Sequence, residues 1–247
     1  MRYFMTFAYD GTNYKGFQKQ SRVKTIQGEI EKKLSKINGD KAVSISASGR
    51  TDAHVHALSQ KAHFDLENEY DPEKLRHSLN QLLEDDIYVK NIEIVEDNFH
   101  ARYNVKAKEY IYKINMGGYN PIEKNYVYQY NKRLDVVAME RALKYLEGTH
   151  NFRSFSKADD ERDNYERTIV QTSLIRNIKD VNIITISLLG TGFLRYMVRN
   201  IVGTLIEIGE GKRKSEDIID IIEAKDRRRA GKTANPEGLY LKDVFYL

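Results

Sequence analysis

Apolar and polar residues alternate from Arg2 to Asp10, which predicts a strand, and Gly11, Asn13 and Gly16 then mark a loop. Ile26, Ile30, Leu34 and Ile37 recur at helical spacing until Asn38-Gly39-Asp40 supplies a stop and a turn. Ala42 to Ser48 and Leu58 to Asp65 read as two strands separated by a polar, glycine-containing loop from Gly49 to Ala57. Asp71-Pro72-Glu73 sets a capping side chain ahead of a proline at the first helical position, and Leu75, Leu79 and Leu82 line one side of the helix that follows. Ile87 to Val95 returns as a strand. The order β-α-β-β-α-β is the split βαβ arrangement, a sheet covered by helices on one face.

A similar order follows. Glu109 to Asn115 reads as a strand, Asp135 to Leu146 as a helix, and Thr168 to Arg176 and Asn182 to Leu188 as two more strands. A helix from Phe193 to Ile208, a shorter one from Ser215 to Ala224 and a last strand from Leu239 to Tyr246 complete the chain. The expectation is an α+β protein of two halves, residues 1–104 and 105–247, with a cleft between them and the boundary near Asn98 to Val105. Lys157 to Arg167, with Asp159, Asp160, Glu161, Arg162 and Asp163, is dense in charge and reads as a solvated loop, a lid being the alternative.

Composition narrows the function classes. The 247 residues are 40% hydrophobic and 31% charged, and no apolar run approaches the roughly 20 residues a membrane helix needs. The first residues show strand-like alternation in place of an apolar signal core, so a cytoplasmic protein is expected. Zero cysteines exclude disulfides, thiolate metal sites and a cysteine nucleophile. A net charge of +4 is weak evidence for a nucleic-acid partner, so the placement of charge has to decide. Seventeen tyrosines and no tryptophan offer rings on which bases can stack, and a tyrosine-rich core is the alternative.

Chemistry concentrates in Gly49-Arg50-Thr51-Asp52-Ala53-His54-Val55-His56-Ala57, whose residues emerge together at one sheet edge. Asp52 lies two residues from Arg50, and a carboxylate beside a guanidinium stays ionised, as a nucleophile or base requires. Spacing alone also reads Asp52 as a turn aspartate bonded to its own backbone. His54 and His56, with Asp52 and His63, further raise a zinc or manganese site of the kind hydrolases use.

The string from Gly49 to Ala57 resembles the catalytic loop of the tRNA pseudouridine synthase A family. Other strings fit in the correct order across nearly the whole chain: Tyr9-Asp10-Gly11-Thr12-Asn13-Tyr14-Lys15-Gly16-Phe17-Gln18-Lys19-Gln20, Phe99-His100-Ala101-Arg102 with Tyr110 and Tyr112, His150-Asn151-Phe152-Arg153-Ser154-Phe155, Gly192 to Asn200, and Gly238-Leu239. The resemblance implies two ferredoxin-like halves forming one extended antiparallel sheet with a central RNA-binding cleft. It implies isomerisation of uridine in the anticodon stem-loop of tRNA, at positions 38–40, without cofactor or metal and by a homodimer. A paralogue acting on another RNA such as ribosomal RNA, and a catalytically silent RNA-binding protein, are the alternatives.

On this resemblance Asp52 is the essential aspartate, which attacks the nucleotide or removes a sugar proton. Tyr110 packs on the target base, Arg199 is the basic partner of the aspartate, Arg50 helps to extrude the base, and Leu239 presses on the flipped ring. Residues alone read Tyr110 equally as a core tyrosine and Arg199 as a surface helix arginine, with Arg195 one turn earlier on the same face. Alternation puts Tyr110 and Tyr112 on one phenolic face suited to a cleft wall. Arg102, Lys106, Lys108 and Arg195, and the run Arg227-Arg228-Arg229 with Lys232, suit phosphates, and for the arginine run a solvated surface beside Asp226 and Glu223 is an equally good account. Three departures from the family pattern stand out: His54 where glycine is usual, Glu109 where a basic residue is common, and Thr233-Ala234-Asn235-Pro236-Glu237 before Gly238.

Overall fold

The computed structural model describes residues 1–159 and 161–246, so Asp160, in the charged stretch, and Leu247 lie outside the described residues. The chain forms two compact units, one of Met1–Lys106 with the residues from Tyr240 onward, the other of Ala107–Leu239.

The first unit contains β1 (Arg2–Tyr9), α1 (Ile26–Ile37), β2 (Ser46–Ala47), β3 (His56–Asp65), α2 (Pro72–Leu82) and β4 (Ile87–Val95), the order expected from hydrophobic pattern. Antiparallel pairing of β1 with both β3 and β4 buries Tyr3, Met5 and Phe7, the alternate positions of β1. The last strand of the chain, β10 (Leu239–Phe245), pairs parallel to β3 at Tyr240–His56 and Leu241–Ala57. Both helices begin on side-chain caps: Thr25 accepts from the Gly28 N–H and Asp71 from the Lys74 N–H, with Pro72 following as the first helical residue.

The strand expected from Ala42 to Ser48 is only two residues long. The reason lies in α1. The Val43 N–H donates to Ser35 Oγ at 3.0 Å and the Ile45 N–H to Glu31 Oε1 at 3.1 Å, so helix side chains take the donors a ladder would have used. Glu31 is 3% exposed, and it also accepts from Lys19 Nζ at 2.9 Å and Gln27 Nε2 at 2.8 Å.

The second unit contains β5 (Ala107–Asn115), β6 (Tyr128–Gln129), α3 (Val136–Lys144), β7 (Gly148–Asn151), β8 (Glu166–Arg176), β9 (Ile183–Gly190), α4 (Met197–Gly209) and α5 (Asp217–Ala224). Its strands run β5-β9-β8-β7, antiparallel throughout, and β6 adds to β5 in parallel. Two short strands, β6 and β7, have no apolar alternation and escape the pattern. Helix α4 starts at Met197 and not at Phe193, because Tyr196 is left-handed (φ 64°) and turns the chain just before the helix. Arg195 therefore precedes α4 and does not share a helical face with Arg199. Met197, Ile201, Val202, Leu205 and Ile208 bury the helix, and a Cβ on Gly203 would sit 1.6 Å from the Lys232 carbonyl oxygen, which only glycine avoids.

One buried histidine ties first-unit stability to pH. His63 Nδ1 accepts from the Ala101 N–H at 3.1 Å, so it must be unprotonated, and burial, helped by His100 and Arg2, pulls its pKa from 6.5 to about 4. A lowered folded-state pKa means that this contribution is intact above pH 6.5 and is lost as pH falls toward 4. At pH 5 the loss is about 2 kcal/mol. Urea unfolding at pH 7.5 and pH 5 is expected to show that much less pH dependence in His63→Asn than in the unaltered chain; equal dependence in both would refute the assignment.

Candidate active site

In the first unit, the loop from Gly49 to Val55 leaves β2 and returns into β3, and the opening loop after β1 grips it by backbone contacts. The Phe17 N–H donates to Thr51 O at 3.1 Å, the His54 N–H to Tyr14 O at 3.3 Å, and the Val55 N–H closes a turn onto Asp52 O at 3.3 Å. A Cβ on Gly11 would meet the Val55 carbonyl oxygen at 2.0 Å, and Gly16, at φ 97°, lies against the backbone of Thr51, Asp52 and Ala53. Both glycines are needed for this approach. Beneath the loop, Tyr9 Oη and Thr51 Oγ1 share a buried hydrogen bond of 2.8 Å. Burial pushes the Tyr9 phenol well above its ordinary range, which keeps it neutral. Gln60, fully buried, accepts from Ser48 Oγ at 2.6 Å and donates to Gly49 O at 3.1 Å. On this clamped loop Asp52 is half-buried and Arg50 exposed.

His54 carries the strain of the loop. Its φ is 65°, the left-handed region in which glycine is at ease, and its Nδ1 donates to the Thr12 carbonyl at 2.7 Å. The departure from glycine at this position is thus offset by a side-chain bond across to the opening loop. His56 Nδ1 lies 3.1 Å from both the Gly11 amide nitrogen and Asp10 Oδ1, and its ring stacks on Tyr240 at 4.7 Å. With His63 bonded to Ala101, the three histidines among the four candidate ligands are engaged by neighbouring loops, and no group of three or more potential metal ligands forms among the described residues.

In the second unit, β5 places Tyr110 opposite Leu188 of β9, 8% exposed, with its ring edge-on to Phe193 at 4.9 Å. Tyr112, on the same face, does not serve as an open wall: it is fully buried and donates to Asn235 O at 2.7 Å. Glu109 accepts from Ser187 Oγ at 2.7 Å. Arg199, on the first turn of α4, donates from Nε to Ala234 O at 2.8 Å while the Ala234 N–H returns to Arg199 O at 3.0 Å. Its guanidinium lies 5.1 Å from the ring centre of Tyr196, and the exposed Arg195 lies 5.4 Å from the same ring. The departing segment before Leu239 forms a 3-10 turn over Pro236–Gly238, and Gly238 comes so close to Lys113 O (2.6 Å to a built Cβ) that a side chain is excluded. Leu239 itself is buried.

Asn200, which neither charge nor spacing singles out, holds this unit's motifs together. Fully buried, it donates to Phe155 O at 2.8 Å and Ser156 O at 3.1 Å, and its Oδ1 accepts from Arg227 Nη2 at 2.9 Å and Thr233 Oγ1 at 2.7 Å. Only its place at the end of the Gly192 to Asn200 string signalled it. Arg227 is half-buried and also donates to Ala230 O, so its guanidinium has a structural task here. Arg228 pairs with Asp226 at 2.8 Å. Among the other basic residues, Arg102 and Lys106 are exposed in the first unit, and Lys108 is half-buried in the second.

The family model described as tRNA pseudouridine synthase matches residues 5–104 and 142–247. The chain belongs to the tRNA pseudouridine synthase family. These are isomerases that convert uridine to pseudouridine in tRNA. A tRNA pseudouridine synthase A of Anoxybacillus flavithermus is 46% identical over 98% of this chain and 97% of its own. Those of Streptococcus equi subsp. equi and of a Geobacillus strain are 44% and 43% identical, over 99% and 98% of this chain and 98% and 96% of theirs. Among solved structures, an H/ACA RNP bound to a substrate RNA containing 2'-deoxyuridine aligns with 83% of this chain and 44% of its own, at 11% identity and a TM-score of 0.36.

For this synthase the strained histidine gives a direct test. His54→Ala removes the bond to Thr12 and keeps the unfavourable φ, so it is expected to cost about 1 kcal/mol. His54→Gly loses the same bond but relieves the strain, and should unfold within about 0.5 kcal/mol of the unaltered chain. Equal losses in both, by chemical denaturation, would show that φ at this position is not strained.

Proposed function

We propose that this chain converts uridine to pseudouridine at positions 38–40 in the anticodon stem-loop of tRNA, with Asp52 as the catalytic residue. The carboxylate stabilises or captures ribose C1′ as the bond to N1 of uracil breaks; the base turns, C5 bonds to C1′, C5 gives up its proton and N1 gains one. The atoms balance without an oxidant, a reductant or water, so no cofactor or metal is called for. Tyr110 packs on the target base, Arg199 keeps Asp52 ionised, Arg50 fills the place of the extruded base, and Leu239 presses on the turned ring. Exposed Arg102, Lys106 and Arg195, with Lys108, hold RNA phosphates. The protein works in the cytoplasm as a homodimer.

The observation that carries this reading is the clamped loop: Asp52 sits on a backbone fixed by Gly11, Gly16, Thr51 and Val55, within a family of tRNA pseudouridine synthases. A catalytic carboxylate needs such fixed placement, whereas a turn aspartate on a solvated loop does not. Tyr110, buried except for a small part of its surface and set against Phe193, offers a firm ring for a base.

Tritium at uracil C5 of unmodified tRNA is expected to be released by the unaltered chain. Asp52→Asn should cut release by at least about a thousandfold while tRNA affinity stays within a few-fold. Release from ribosomal RNA but not from tRNA would overturn the substrate and keep the chemistry. Silence on both, with binding retained, would leave an RNA-binding protein. Chelation is expected to leave the rate unchanged once RNA folding is controlled for; a metal-dependent rate restored by zinc or manganese would count against the cofactor-free mechanism.

A further inference from the structure

The turn from Phe99 to Asn104 carries one of the family-like strings, yet the catalytic assignment gives it no task beyond Arg102. It is built rigidly. Arg2 Nη1 donates to Phe99 O at 3.0 Å, the His100 N–H to Asn104 Oδ1 at 2.6 Å, the Ala101 N–H to His63 Nδ1 at 3.1 Å, and the Asn104 N–H back to His100 O at 3.0 Å. Tyr246 Oη adds a bond to Ala101 O at 2.5 Å, and Ala101 is fully buried. This anchored turn holds Tyr103 out in solvent, 77% exposed.

The ring is oriented as well as exposed. Its centre lies 4.2 Å from that of His100 at an interplanar angle of 34°, and His100 meets His63 edge-on at 4.6 Å. One face of Tyr103 is therefore covered and the other is open. Arg102 and Lys106, both exposed, flank it in sequence.

We propose that Tyr103 is a stacking platform for one unpaired base of the bound tRNA, with Arg102 and Lys106 on the adjoining phosphates. Stacking on an aromatic face tolerates any base, so this subsite strengthens grip on RNA of the right shape without reading its sequence. The proposal rests on the reading of tRNA as the substrate and adds to it a contact outside the catalytic loop.

The test pairs tRNA binding with tritium release for Tyr103→Ala, Tyr103→Leu and Tyr103→Phe. Tyr103→Ala and Tyr103→Leu are expected to raise both the Kd and the KM for unmodified tRNA about tenfold with kcat unchanged, and Tyr103→Phe to restore both. Being exposed, the position should leave the melting temperature unaltered, which separates loss of contact from loss of fold. Arg102→Gln should instead lower the salt dependence of binding, by about one in the slope of log K against log salt. A Kd for Tyr103→Ala within twofold of the unaltered chain, or equal rescue by leucine and phenylalanine, would overturn the platform. Absence of tritium release from the unaltered chain would defeat the isomerase reading alone, because the binding arm still reads the subsite.

Discussion

The carbonyl of Val55 and the backbone of Gly11 approach so closely that no side chain fits between them, and the candidate catalytic loop takes its shape from that contact. A loop of polar residues has little apolar surface to bury, so something other than a core must hold it. Here the backbone of the opening loop does so, through Phe17, Tyr14 and Gly16, while Tyr9 and Gln60 support Thr51 and Gly49 from beneath. The aspartate inherits its position from neighbours that take no part in chemistry.

The second unit solves the same problem with a side chain. Asn200 satisfies all of its polar capacity inside the protein, joining the start of α4 to the segment around Phe155 and to the stretch that carries Thr233. Loss of any partner would leave a buried amide group unpaired, which costs about 1–3 kcal/mol. Arg227 belongs to that network, so a guanidinium that sequence reasoning sends to solvent is drawn inward.

The elements with strong periodicity were legible in sequence: β1, α1, α2 and β4 follow directly from alternation, helical spacing and the Asp71-Pro72 cap. The short or irregular ones were not. The stretch from Ala42 looks like a strand because Val43 and Ile45 are apolar and buried, yet its amides bond to Ser35 and Glu31, side chains of the preceding helix that hydrophobic periodicity does not reveal. Helix α4 looks longer than it is because Phe193 and Leu194 continue its apolar pattern, and the left-handed Tyr196 leaves no mark in composition. At the site, Asp52 and Arg50 could be singled out because a polar string between two strands is unusual. Asn200, Thr51 and Phe193 act through burial and geometry, and single-residue chemistry does not announce them.

The ring of Tyr196 lies close to two guanidiniums, those of Arg195 and Arg199. A carboxylate in its place would orient both side chains equally well, but it would also cancel half of their charge. A neutral ring orders the pair and adds no negative charge of its own. Tyr196 thus orders two cations through a residue that itself carries no charge.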